Sequence, residues 1–139
     1  MTMRMRFTST GAAILLTVAS FAVNDGASAQ NTLRRLSLKN GESIELYALY
    51  FVSNCHSIMI GLPEIEVLEG PPEVALSIRE EPVLPRRLGC ANKVAGGTLM
   101  LTAKGITEES ETKLTYRVKY QTKDGPRQTG QSFIVSLFP

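Results

Sequence analysis

The chain has 139 residues, with 15 basic and 13 acidic side chains, one histidine, two cysteines and no tryptophan. So even a balance, with no long run of one charge, gives no footprint for nucleic acid. No low-complexity tract interrupts the sequence, and no apolar segment reaches the roughly 20 residues that a membrane-crossing helix requires.

Arg4 and Arg6 open the chain with positive charge, Gly11 to Val23 is mostly small and apolar, and Ala27-Ser28-Ala29 has the small-x-small spacing of a signal-peptidase site. That order predicts a secretory signal peptide over residues 1–29. No cysteine lies at the cut site to carry a lipid. The expected mature chain starts at Gln30 and works outside the cytoplasm, as a periplasmic or secreted protein. Removing 29 of 139 residues leaves 110, and the 15 basic and 13 acidic residues become 13 and 12. This is the length of one domain, expected over residues 30–139.

Past the cut site, Leu36 and Leu38 alternate with Arg35, Ser37 and Lys39, which predicts a short strand. Asn40-Gly41 predicts a tight turn, since both residues tolerate positive φ. Ile44 to Asn54 reads as one long strand, with Ile44, Leu46, Ala48, Tyr50 and Val52 on one face and Glu45, Tyr47, Leu49 and Phe51 on the other. Gly61-Leu62-Pro63 breaks the chain, and Glu64-Ile65-Glu66-Val67 then alternates with its acids outward. Gly70-Pro71-Pro72 forces a turn, because two prolines remove two backbone donors. Val74, Leu76 and Ile78 mark a further strand. Glu80 to Gly89, with Pro82 and Pro85, reads as an irregular connection.

Gly96-Gly97 opens a strand with Leu99, Leu101 and Ala103 inward. Ile106 to Thr112 is polar and acidic and reads as an exposed loop. Leu114, Tyr116, Val118 and Tyr120 then alternate with Thr115, Arg117, Lys119 and Gln121, Asp124-Gly125 predicts a second tight turn, and Phe133, Val135 and Leu137 share one face of a terminal strand. Tyr116, near the start of its strand and after a polar loop, is a candidate corner tyrosine whose hydroxyl bonds to backbone; an ordinary half-buried strand tyrosine is the alternative.

Cys55 and Cys90 are the two cysteines of the mature chain. In an oxidising compartment such a pair forms a structural disulfide, and redox-active pairs sit much closer, as Cys-x-x-Cys. About seven strands at spacings of roughly 8 to 12 residues predict an all-β fold, an antiparallel β-sandwich of immunoglobulin type, with a small barrel as the alternative. Asn54-Cys55-His56-Ser57, Gly61-Leu62-Pro63, Gly89-Cys90, Gly96-Gly97, Leu114-Thr115-Tyr116-Arg117-Val118 and Asp124-Gly125 give the mature chain a layout that resembles small exported immunoglobulin-like proteins of alphaproteobacteria. The resemblance implies a fold and a bacterial periplasmic address, and it carries over no functional residue.

No catalytic set assembles from these residues. His56 beside Cys55 is a Cys-His pair in sequence only, since disulfide pairing removes the thiolate that nucleophilic catalysis requires, and neighbours in a strand point to opposite faces. The chain is therefore expected not to be an enzyme and to need no cofactor. A metal reading rests on His56 and Met59, with Met100, as a Cu(I) site; one histidine is too few for a blue-copper centre, and methionines on strands are common packing residues. Asp124 is the only aspartate of the mature chain, unlike the acid-rich loops that hold hard cations, and Glu108, Glu109 and Glu111 read as a solvated turn. Arg117, Lys119, Lys123 and Arg127 fall on one hairpin and form a candidate binding patch or a solvated face. Tyr47, Leu49 and Phe51 mark either an exposed apolar interface or a strip beneath the proline-rich connection. The expected role is that of an exported structural or binding module contacting a protein or envelope component, with a small copper carrier as the alternative.

Overall fold

In the computed structural model, residues 33–139 are described. The expected signal peptide, 1–29, and the expected mature start at Gln30 lie outside the described residues. The strands are β1 (Arg34–Lys39), β2 (Ser43–Leu49), β3 (Val52–Ser53), β4 (His56–Ser57), β5 (Glu64–Glu69), β6 (Val74–Glu80), β7 (Gly97–Ala103), β8 (Ser110–Thr122) and β9 (Gly125–Phe138). One 3-10 turn, Arg86–Leu88, interrupts the connection between β6 and β7.

The strands form a four-stranded sheet in the order β1-β9-β8-β5, a three-stranded sheet in the order β2-β7-β6, and a small β3-β4 hairpin. The two larger sheets face each other across one core, in a sandwich-like arrangement. Leu38, Leu114, Tyr116, Val118, Phe133, Val135 and Leu137 come from the first sheet, and Leu49, Leu99, Leu101 and Ala103 from the second. These are the apolar residues that alternate along their strands, so the period-2 pattern is what builds the two inner faces.

The structure corrects several expectations. Pairing is antiparallel except between β1 and β9, which run parallel from Arg34↔Phe133 to Lys39↔Phe138. The reason lies at Asn40-Gly41, where Gly41 has φ +82°. The turn forms as expected, but it hands the chain from one sheet to the other. The Asn40 amide donates to the Phe138 carbonyl at 2.8 Å, and the Gly41 amide to the Ala103 carbonyl at 2.8 Å.

The long strand expected over Ile44 to Asn54 is broken. Between Glu45 and Tyr47 the register against β7 slips, leaving Leu46 as a bulge. Ile44 opposes buried Leu101 before the bulge, and Tyr47 opposes buried Leu99 after it. One extra residue reverses the alternation, so Tyr47, Leu49 and Phe51 join the core side while Ala48 is exposed. The strand ends at Leu49, and Asn54-Cys55, at φ +53° and +62°, form the two-residue turn of the β3-β4 hairpin. Two adjacent positive φ values are what a tight hairpin turn demands.

The segment from Ile106 to Thr112 is likewise not wholly an exposed loop. Ile106 is buried, its amide donating to the Asn40 side-chain oxygen at 3.1 Å, and Ser110 already begins β8.

Candidate functional site

The pairing of strands gathers three connections at one end of the molecule. Leu49 at the end of β2 and Glu80 at the end of β6 both pair with Gly97 at the start of β7. The β2–β5 segment (residues 50–63) and the β6–β7 segment (81–96) therefore leave the same end. The β8–β9 turn joins them there. The Ile60 amide donates to the Gln121 carbonyl at 2.7 Å, the Lys123 amide to the Ile58 carbonyl at 2.9 Å, and Met59 forms a bridge with Thr122.

These long connections are held in place at several points. Cys55 and Cys90 form the expected disulfide, with Cα atoms 5.5 Å apart, and it links the β3-β4 turn to the β6–β7 segment. Within that segment Val83 and Val94 exchange backbone hydrogen bonds of 2.9 and 2.8 Å. Pro85 is buried, and the Leu88 amide donates to its carbonyl at 3.2 Å. Phe51 packs its ring 5.5 Å from that of Tyr120. Thr122 closes the β8–β9 turn, its hydroxyl donating to the Gly125 carbonyl at 2.7 Å.

Rigid loops carry an unusual surface here. Among the described residues five large apolar side chains are exposed, and three of them, Ile60 (59%), Leu62 (40%) and Leu88 (59%), lie on this end. The other two, Val67 and Leu68, lie at a bulge on the edge strand β5. Residues 50–63, 81–96 and 122–125 hold four cations, Arg86, Arg87, Lys93 and Lys123, against two acids, Glu81 and Asp124. Arg79 and Thr98 both bond to the Glu81 carboxylate, and Arg79 holds it below the usual carboxylate range. The connections of the opposite end, 40–42, 70–73 and 104–109, have the reverse balance: Lys104 against Glu42, Glu73, Glu108 and Glu109.

The residues expected to act are divided by the fold. His56 is exposed on β4, whereas Met59 packs against the core and Met100 sits in the middle of β7 opposite Glu45 and Ser77. The disulfide occupies the Cys55 sulfur, and no group of three or more His, Cys, Asp or Glu side chains gathers among the described residues.

The basic hairpin splits in two. Arg117 and Lys119 lie on the outer face of β8 and both face Glu66, at 3.6 and 2.8 Å. Hydrogen bonding and charge from Lys119 hold the Glu66 carboxyl below its ordinary value. Lys123 and Arg127 are exposed near the turn, and Arg127 donates to the Pro126 carbonyl at 3.2 Å. An open depression of about 360 Å³ lies beside the first pair, lined by Leu68, Thr115, Arg117, Gln128, Gly130 and Ser132 among others. Glu108 and Glu109 are exposed, and Glu111 pairs with Arg35 at 3.0 Å.

Sequence reasoning missed Ile60, Leu62, Arg86, Arg87 and Leu88. The available signal was connection length: these residues sit in segments of 14 and 16 positions, far longer than a tight hairpin needs. No protein-family model matches the chain, and no curated protein matches it.

Proposed function

We propose that this chain is an exported immunoglobulin-like module, of the kind it resembles in alphaproteobacteria, that acts in the periplasm by contact and not by catalysis. The strand order supports the immunoglobulin-like reading. The order β2-β7-β6 corresponds to B-E-D of that fold, and β5-β8-β9 to C-F-G, with β1 laid along the last strand. The disulfide departs from the antibody pattern, since it joins two connections at one end instead of the two sheets. It suits an oxidising compartment, and among the described residues no helix is long and apolar enough to cross a membrane.

The observation that carries the contact role is the exposure of Ile60, Leu62 and Leu88 on connections fixed by the disulfide and by backbone bonds. A rigid scaffold presenting apolar loop residues is the usual arrangement of a binding surface. The test places a photo-crosslinking residue at Leu88, at Ile60 and, as control, at Glu108, in cells that export the protein natively. Crosslinks from positions 88 and 60 and none from 108 are expected. Equal labelling at all three, or labelling from 108 alone, overturns the proposal.

A further inference from the structure

We infer that the disulfide-tied end docks on an anionic phospholipid bilayer. The inference rests on the reading of this end as the contact surface and names what it contacts. Two independent features of the end agree.

The first is positive charge without a close ion pair. Arg86, Arg87, Lys93 and Lys123 all lie in the connections of this end, and among the described residues none has a carboxylate within 4.0 Å. On the sheet faces Arg79 pairs with both Glu45 and Glu81, and Arg117 and Lys119 pair with Glu66. Acids outnumber cations in the connections at the opposite end, so the connections of the two ends differ in the sign of their charge. A negatively charged surface would draw this end in and turn the other away.

The second is the chemistry of the exposed apolar residues. Ile60, Leu62 and Leu88 are aliphatic, and Leu88 directly follows Arg86 and Arg87 in one exposed 3-10 turn. Interface cores between proteins favour aromatic anchors. A bilayer interface takes shallow apolar insertions, leucine among them, ringed by lysine and arginine, whose cations stay at the headgroups while the hydrocarbon enters. These loops are already fixed by the disulfide and the Val83–Val94 bonds, so little ordering cost accompanies docking.

The test is flotation of the oxidised mature chain, residues 30–139, with vesicles of phosphatidylcholine alone or mixed with phosphatidylglycerol. Binding to the mixed vesicles only, falling with added salt, is expected. Arg86→Gln with Arg87→Gln should weaken it roughly 25-fold, at about fivefold per charge. Ile60→Ser with Leu88→Ser should weaken it by roughly tenfold or more. Lys39→Gln with Lys104→Gln, at the far end, should leave it unchanged. All six positions are exposed or lie in turns, and unchanged thermal unfolding of each variant establishes that folding is intact. Equal binding to both vesicle types, no binding to either, or mixed-vesicle binding indifferent to both loop-end pairs overturns the inference. Crosslinks from Leu88 into an acidic protein without vesicle binding would overturn it while leaving the contact role standing; absence of both would remove the two readings together.

Discussion

The hydroxyls of Tyr47 and Tyr116 lie 2.8 Å apart, joining β2 of one sheet to β8 of the other through the core. Tyr116 is fully buried and its ring stacks on Phe133 at 6.0 Å. Its hydroxyl therefore bonds to a side chain on the facing sheet, and not to the backbone as a corner tyrosine would. Removing one hydroxyl leaves the other without its partner, which costs about 1–3 kcal/mol. Tyr47→Phe and Tyr116→Phe should each lower stability by that amount, and the double variant by less than their sum. Urea unfolding of the four proteins checks this; strict additivity would show that the bond contributes nothing.

High pH should destabilise the fold. Burial, followed by the bond to Tyr47, pushes the Tyr116 phenol well above its ordinary 10.0, and burial pushes Tyr120 up to about 12. Tyr47 is also raised by burial, against an opposing effect of the Tyr116 bond. The folded state thus keeps protons that the unfolded chain loses, so this stability is complete below pH 10 and is lost as pH rises through 12. Thermal unfolding across that window should show the fall. A profile equally steep in the Tyr116→Phe, Tyr120→Phe double variant would assign it to other groups.

Reduction of Cys55–Cys90 should cost about 3–4 kcal/mol in the chain-entropy account, given a loop closed over a separation of 35. Denaturant unfolding with and without a phosphine reductant measures it. Thiol labelling of the folded protein should give no adduct before reduction and two after.

Two glycines should respond differently to alanine. A Cβ at Gly96 would collide with the Leu49 carbonyl oxygen and lie 2.7 Å from a Val83 methyl. Nothing lies within 4 Å of one at Gly41, where only the φ of +82° resists a side chain. Gly96→Ala is expected to cost about 1–3 kcal/mol through overpacking, and Gly41→Ala about 1–2 kcal/mol through backbone strain. The decisive measurement is the effect of each on the loop end. Only Gly96→Ala should also speed amide exchange at Val83 and Val94, whose mutual bonds it disturbs; unaltered exchange there would refute the steric account.

Local chemistry made much of the fold legible. Leu114 to Tyr120 and Phe133 to Leu137 alternate without a break, so their inner faces follow from period 2 alone. Tyr47, Leu49 and Phe51 did not yield to the same rule, because the bulge at Leu46 is defined only against Met100 and Leu99 on the partner strand. Asn54, expected to end a strand, instead forms a turn with Cys55 at φ +62°, a conformation in which a cysteine is held by what surrounds it.

The amino-acid order by itself determined most of the inner strand faces and several of the turns, because alternation, glycine and proline act within a few residues, and it left two thiols with only each other to pair with. Which strands became neighbours, the parallel seam of β1 on β9, and the meeting of Ile60, Arg86, Leu88 and Lys123 at one end were decided by tertiary structure. Those outcomes depend on hydrogen bonds and packing between segments distant in the chain, and a short window of sequence contains only one partner of each.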